Sequence, residues 1–97
     1  MKGLKLIISD RAIEDLADIW SYIALDNYAA ADKFTNSLYE LCKAIAVTPE
    51  MGRARGELLP DLRSLAYRGY IIFYRIGHQQ LEIVRVLNGC MDVDSML

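Results

Sequence analysis

Arginine is the side chain that this sequence concentrates in one stretch. Six of the seven arginines lie between positions 53 and 85, whereas all four lysines lie in the first half of the chain. Since only three acidic residues share that stretch, six minus three gives a local charge of +3 in a chain of net charge -2. The arginine guanidinium makes bidentate hydrogen bonds to carboxylates and phosphates and stacks on aromatic rings, so the cluster indicates recognition of an anionic partner. The alternative is a set of surface and salt-bridge arginines. The six are Arg53, Arg55, Arg63, Arg68, Arg75 and Arg85.

The remaining reactive residue types predict no catalytic residue, no metal site and no cofactor. His78, the only histidine, falls in a predicted turn, where we interpret it as solvated. Cys42 and Cys90 are too few for a disulfide framework or a four-ligand zinc site, which favours a reducing, cytoplasmic compartment. The sequence contains no Gly-rich phosphate loop, no G-x-S-x-G elbow and no H-E-x-x-H motif.

Two helices are predicted in the first half of the chain. A short β-type run at 4–8 ends at Ser9, a good N-cap, and apolar residues then recur at helical spacing to about Leu25. Asp26-Asn27 predicts a turn and a second N-cap, and Pro49 with Gly52 ends the second helix. So short a link predicts a helical hairpin, with Trp20 and Phe34 filling the space between it and the rest of the fold.

Three antiparallel strands are predicted at 62–67, 70–76 and 81–87, where β-branched and aromatic residues dominate. A turn at Arg68-Gly69 pairs Tyr67 with Tyr70, and the favourable charge pair Arg75–Glu82 sets the second hairpin, which places Ile72 opposite Arg85.

Alternation along the strands sorts their side chains into two faces of the sheet. We expect the helices to cover the face with small residues, Leu62, Ser64, Ala66, Ile71, Phe73, Val84 and Val86. The open, partner-binding face would then carry Arg63, Leu65, Tyr67, Tyr70, Ile72, Tyr74, Ile83, Arg85 and Leu87. The alternative is that the sheet is inverted and this second face is the core.

Composition supports one folded unit spanning 1–97. The chain is 54% hydrophobic and 25% charged, too apolar for a disordered protein. Its longest uninterrupted apolar run, at 70–74, is far shorter than the roughly 20 residues that cross a bilayer, so no membrane association is expected.

The ordered stretches SDRAIEDLADIWSYIALDN, AADKF, TPEMGRAR, LRSLAYRGYIIFYRI and LEIVRVLNG resemble the ParE branch of the RelE/ParE superfamily of bacterial type II toxins. The resemblance covers nearly the whole chain. It implies an α+β fold with an N-terminal strand and an α-helical hairpin packed on a small antiparallel sheet of three to four strands.

The resemblance also implies a function. ParE-like toxins poison DNA gyrase, whereas RelE-like relatives cut messenger RNA on the ribosome. Relatives often carry V-L-H-G and a nearby arginine at the end of the last strand, where this chain has Asn88, Gly89, Cys90 and Met91. Because an amide cannot take up a proton near neutral pH, this favours a gyrase inhibitor that acts by binding. A ribosome-dependent ribonuclease and an inactive relative that only binds its antitoxin are the alternatives.

The partners implied are a cognate ParD-like antitoxin in a hetero-oligomeric complex and DNA gyrase as target, with operator DNA contacted only through the antitoxin. Arg63 and Arg85 are expected to anchor antitoxin carboxylates on the open face, so Arg85→Glu would weaken binding and leave the fold intact. Arg53 and Arg55 are candidate target-binding residues.

Overall fold

The computed structural model describes residues 3–97, which form a five-stranded sheet with a helical hairpin on one face. In chain order the elements are β1 (Lys5–Ile8), α1 (Asp10–Ala24), α2 (Tyr28–Val47), a 3₁₀ turn (Pro49–Met51), β2 (Arg53–Ala54), β3 (Leu62–Tyr67), β4 (Tyr70–Ile76), β5 (Gln80–Asn88) and α3 (Val93–Met96). The sheet order is β1-β5-β4-β3-β2, with β1 parallel to β5 and the other pairs antiparallel. The predicted α+β architecture is confirmed, and the two-residue strand β2 accounts for the fifth strand.

Both long helices begin where the sequence predicts a cap. Ser9 Oγ accepts a hydrogen bond from Ala12 N at 3.0 Å, and Asn27 Oδ1 accepts one from Ala30 N at 3.0 Å. Each bond satisfies a backbone donor that the first turn of a helix leaves free. α2 ends at Val47, just before Pro49, which is compatible with the start of a new turn and not with a continuing helix.

The helical hairpin packs on the sheet through a core of aliphatic side chains from both helices. Its fully or nearly buried members are Ala12, Ile19, Leu38, Cys42, Ile45 and Ala46. Phe34 lies between α2 and the sheet as predicted, because its ring stacks against Tyr67. The prediction for Trp20 is wrong: its ring stacks on exposed Tyr28 at 5.8 Å, and its Nε1 donates to Asp32 at 2.8 Å.

The strand register is confirmed as far as one irregularity. β3 and β4 pair as predicted throughout, and Tyr74 lies opposite Ile83. A β-bulge then shifts the register, so that Phe73 lies opposite Arg85 and the predicted pairing of Ile72 with Arg85 is wrong. An extra residue in one strand moves every later side chain to the other face.

The predicted assignment of the two sheet faces is also wrong. Ile72, Tyr74 and Ile83, expected on an open face, are fully buried in the cluster that includes the helices. Leu65, Tyr67 and Tyr70 pack against the same cluster. The face with small residues, which was expected to contact the helices, has less apolar area than the face with these larger side chains. Because burial free energy grows with apolar area, covering the second face with the helices is more favourable.

The opposite face is covered by irregular and C-terminal segments. Leu62, Phe73 and Leu87 form its buried centre. Leu58 and Leu59 pack against that centre, as do Val93, Met96 and Leu97 from α3 and its end. Leu87, predicted on the open face beside Ile72, belongs instead to this second cluster, because the bulge places it on the side of Phe73.

We expect Phe34→Ala to lower the free energy of unfolding by about 2 to 3 kcal/mol, because it empties space against Tyr67 and Tyr70. Trp20→Ala removes the stack on exposed Tyr28 and one exposed hydrogen bond, so the free energy of unfolding should fall by less than about 1.5 kcal/mol. Urea unfolding followed by far-UV circular dichroism measures both. An equal loss for the two variants would contradict this placement of the rings.

Candidate functional site

A buried ion pair joins α1 to β5. Arg85 Nε donates to Asp15 Oδ2 at 2.8 Å and Nη2 donates to Oδ1 at 2.9 Å, while the backbone N–H of Val86 donates to Asp15 Oδ2 at 2.9 Å. Next to it, Ser9 Oγ donates to the carbonyl oxygen of Val84 at 2.9 Å. The two side chains of the pair are about one-tenth exposed. The Asp15 carboxylate therefore accepts hydrogen bonds both from the Arg85 guanidinium and from the backbone of Val86 beside the bulge.

Arg85 also fixes the C-terminal segment, since its Nη1 donates to the carbonyl oxygen of Met96 at 2.7 Å. The hydrogen bonds to Asp15 raise the pKa of the Arg85 guanidinium, against the opposing effect of burial. Arg85 was predicted to be an exposed anchor for a partner; the structure corrects this, because all three of its donor nitrogens serve the fold.

Arg63, the second predicted anchor, holds the segment before β3. Its Nη2 donates to the carbonyl oxygen of Gly52 at 2.6 Å. The buried hydroxyl of Tyr74 accepts from Gly52 N at 2.9 Å and donates to the carbonyl oxygen of Pro49 at 2.6 Å. A Cβ on Gly52 would lie 2.5 Å from the Tyr74 hydroxyl oxygen, so only glycine fits this approach. Arg63 and Tyr74 therefore determine where β2 lies.

The two candidate target-binding residues, Arg53 and Arg55, differ in exposure. Arg53 is exposed. Arg55 is largely covered: its Nε pairs with Glu57 at 2.8 Å, its Nη1 donates to Ser64 at 3.1 Å, and its guanidinium carbon lies 5.8 Å from the centre of the Phe73 ring. A cleft of about 330 Å³ opens beside both arginines, lined also by Met51, Ser64, Leu65, Ala66 and Ile71.

The arginine cluster therefore divides into internal and external members. Arg63 and Arg85 bond within the fold, and Arg75 pairs with Glu82 at 3.4 Å as the predicted register requires. Within residues 3–97, Arg53 and Arg68 make no ion pair. Of the six clustered arginines, only these two present a guanidinium without an ion pair to a partner.

The cysteines differ sharply in environment. Cys42 is fully buried, and burial raises the pKa of its thiol to about 11. Cys90 is exposed. In the described part of the chain, no three His, Cys, Asp or Glu side chains come together as metal ligands, and no helix is long and apolar enough to cross a membrane.

Sequence analysis did not identify Asp15 as a buried residue of the first helix. The signal was present in the spacing, because Asp15 lies three residues after Ala12 and four before Ile19, both of which are buried. A carboxylate in the buried stripe of a helix needs a cationic partner.

We expect Asp15→Asn to lower the free energy of unfolding by about 3 to 5 kcal/mol, because it leaves the Arg85 charge buried and unpaired. Asp18→Asn, on the exposed side of the same helix, is the matched control and should cost less than about 0.5 kcal/mol. Arg85→Glu would face Asp15 with a second carboxylate and should prevent folding, contrary to the expectation from sequence. Urea unfolding checks all three, and a stable Asp15→Asn protein would contradict this role.

The Cys42 thiol makes stability depend on alkaline pH. Its unfolded-state pKa is near 9.0 and its folded-state pKa is about 11, so above pH 9 the unfolded chain releases a proton that the folded chain keeps. Stability should therefore fall by about 2 to 3 kcal/mol between about pH 9 and about pH 11 from this group alone. Comparing the pH dependence of unfolding with that of Cys42→Ala isolates the effect, and identical slopes would show that Cys42 is not responsible.

Comparison with known proteins gives concordant results. Residues 6–93 match the family described as the ParE toxin of the type II toxin-antitoxin system, parDE. The chain is 31% identical over 96 residues to Toxin ParE1 of Mycobacterium tuberculosis, covering 96% of this chain and 97% of that protein. It is 33% identical over 91 residues to Toxin ParE1 of Caulobacter vibrioides, covering 93% and 94%.

Two solved structures share the fold. One, described as the chromosomal ParDE TA system from P. aeruginosa, superposes with a TM-score of 0.76 at 21% identity, covering 89% of this chain and 96% of that chain. The other, the toxin-antitoxin complex RelBE2 from Mycobacterium tuberculosis, has a TM-score of 0.71 at 17% identity, covering 91% and 93%. Since the family match spans most of the chain and both relatives exceed 30% identity, the chain belongs to the ParE toxin family of type II toxin-antitoxin systems.

Proposed function

We propose that this ParE-family toxin inhibits DNA gyrase by binding it and is neutralised by a ParD-like antitoxin. Family membership supports the toxin role. The observation that carries the choice of binding over RNA cleavage is the engagement of Arg63 and Arg85 inside the fold. Both guanidiniums bond to structural partners, so neither is free to bind a scissile phosphate on the sheet.

The end of β5 supports the same choice. RNA cleavage through a 2′-hydroxyl requires a proton acceptor, a proton donor and cations at the phosphate. Asn88 Oδ1 accepts a hydrogen bond from Cys90 N at 2.9 Å, so the amide stabilises the turn that follows the strand. His78 lies exposed at the other end of β5, in the turn that precedes Gln80. This arrangement favours a protein that acts by binding over one that cleaves RNA.

Arg53 is the target-binding residue of this proposal, and the largely covered Arg55 lies beside it in the same cleft. The segment that carries them is held by Arg63 and by the Tyr74 hydroxyl, so Arg53 is presented from a fixed backbone. Next to it, Met51 and Ala66 are exposed and line the same cleft. An arginine beside exposed apolar surface is a common composition of protein-binding hot spots.

The antitoxin and the compartment are part of the same proposal. Both structural neighbours are described as toxin-antitoxin systems or complexes, which supports a hetero-oligomer of this chain with a ParD-like protein. In that complex the toxin reaches operator DNA only through the antitoxin. Gyrase as a target places the chain in the cytoplasm.

The decisive experiment supplies the purified chain to a gyrase supercoiling reaction and, in parallel, to a translation system read by primer extension. We expect loss of supercoiling and no new transcript ends. Arg53→Glu should weaken inhibition at least about tenfold if its contact is buried on binding, because it reverses a charge in the contact. Arg11→Glu, an exposed charge reversal on α1, is the matched control and should inhibit like the parent.

Two other outcomes would overturn the proposal. Fixed transcript cuts within codons, with supercoiling untouched, would establish the ribonuclease alternative. No effect in either reaction, together with tight antitoxin binding, would identify an inactive relative.

A further inference from the structure

A groove lies between α2 and the turn that joins β3 to β4. It has a volume of about 250 Å³ and is lined by Ala30, Lys33, Phe34, Ser37, Tyr67 and Arg68. That volume is below the roughly 300–1,000 Å³ of most small-molecule sites. The groove is therefore sized for a single anchoring side chain of a larger partner.

The floor of the groove is aromatic. The Phe34 ring centre lies 5.9 Å from that of Tyr67, in a stacked arrangement, and 5.5 Å from that of Tyr70. Phe34 and Tyr67, which line the groove, are only half-buried, so apolar surface remains open beside them, while Tyr70 packs against Phe34 outside the lining. An apolar anchor that covers this surface gains free energy in proportion to the area removed from water.

The rim of the groove is cationic. The guanidinium carbon of Arg68 lies 5.7 Å from the centre of the Tyr67 ring, and Lys33 is exposed on α2. Across residues 3–97, neither cation has an ion-pair partner, and no acidic side chain lines the groove. In a chain of net charge -2, this places a local positive charge against an aromatic floor.

Arg68 occupies an unusual backbone position for its residue type. Its φ is +49° and that of Gly69 is +88°, the pattern of a two-residue turn that favours Asn-Gly. A non-glycine residue in the left-handed region is disfavoured, and Asn tolerates it better than arginine does. Turn geometry therefore does not account for arginine at this position.

We infer that this groove binds an acidic peptide segment carrying one apolar anchor, with the anchor on the aromatic floor and the carboxylates at Lys33 and Arg68. The inference rests on the proposed function, in which the segment belongs to the antitoxin. A carboxylate beside each cation completes pairs that the free chain leaves open. Only two free cations line the groove, too few for the extended basic stripe that a nucleic-acid strand requires.

The test is titration calorimetry of the full chain with its purified cognate antitoxin. Lys33→Gln and Arg68→Asn should each raise Kd about two- to fivefold, and the double variant by roughly the product of the two. Arg68→Asn suits the turn, so unfolding would not explain its loss of affinity. Arg11→Gln, an equal charge change outside the groove, should bind like the parent. Raising the salt to about 0.5 M should weaken the parent more than the double variant.

A second variant tests the floor. Ser37→Trp should fill the groove and raise Kd at least about tenfold, because the anchor loses its space; thermal melting confirms that the variant folds. Equal affinities for the parent and the groove variants overturn this inference while leaving antitoxin neutralisation intact. A parent chain that binds no antitoxin overturns both. Binding of a single-stranded oligonucleotide that the groove variants lose, with antitoxin binding unchanged, overturns the peptide assignment in favour of nucleic acid.

Discussion

One carboxylate on the buried side of α1 determines how the helices, the sheet and the C-terminal segment fit together. Asp15 accepts two hydrogen bonds from Arg85 and one from the backbone of Val86, seventy or more residues away in sequence. A buried charge is tolerated only when its bonding capacity is filled, so this geometry admits little variation. Asp15 bonds the backbone beside the bulge, and past the bulge Val86 faces the helices while Leu87 faces α3.

The features that the sequence predicts well are those decided by neighbours in the chain. Ser9 and Asn27 cap helices through bonds to residues three positions later, and Arg68-Gly69 sets a turn between adjacent strands. The choice of sheet face depends instead on total apolar area, summed over strands and helices far apart in sequence. As far as the bulge, alternation identifies the two faces correctly, but it does not say which one the helices cover. The backbone beside the bulge bonds Asp15, about seventy residues away, so the strand sequences alone do not indicate the bulge.

The candidate site illustrates the same limit. A concentration of arginine is visible in the sequence, but the fold decides which members are free. Arg63 and Arg85 have the planar, multi-donor head that suits partner recognition, and that same head lets one residue bind several internal acceptors. Counting arginines in the sequence therefore overestimates how many are free to bind a partner, because some of them bond acceptors inside the fold. Arg53 and Arg68 remain at the surface, at opposite ends of the β2–β3 segment.

The parallel pairing of β1 with β5 has a consequence for synthesis. β1 joins the sheet only through residues 80–83, and α1 finds the partner of its buried carboxylate at residue 85. During translation, the hairpin of α1 and α2 is therefore made long before the strand that covers its apolar side. Such non-local contacts form late and slowly. While the ribosome is still elongating the strands, the apolar side of the helical hairpin has no cover, and it is then most open to chaperones and proteases.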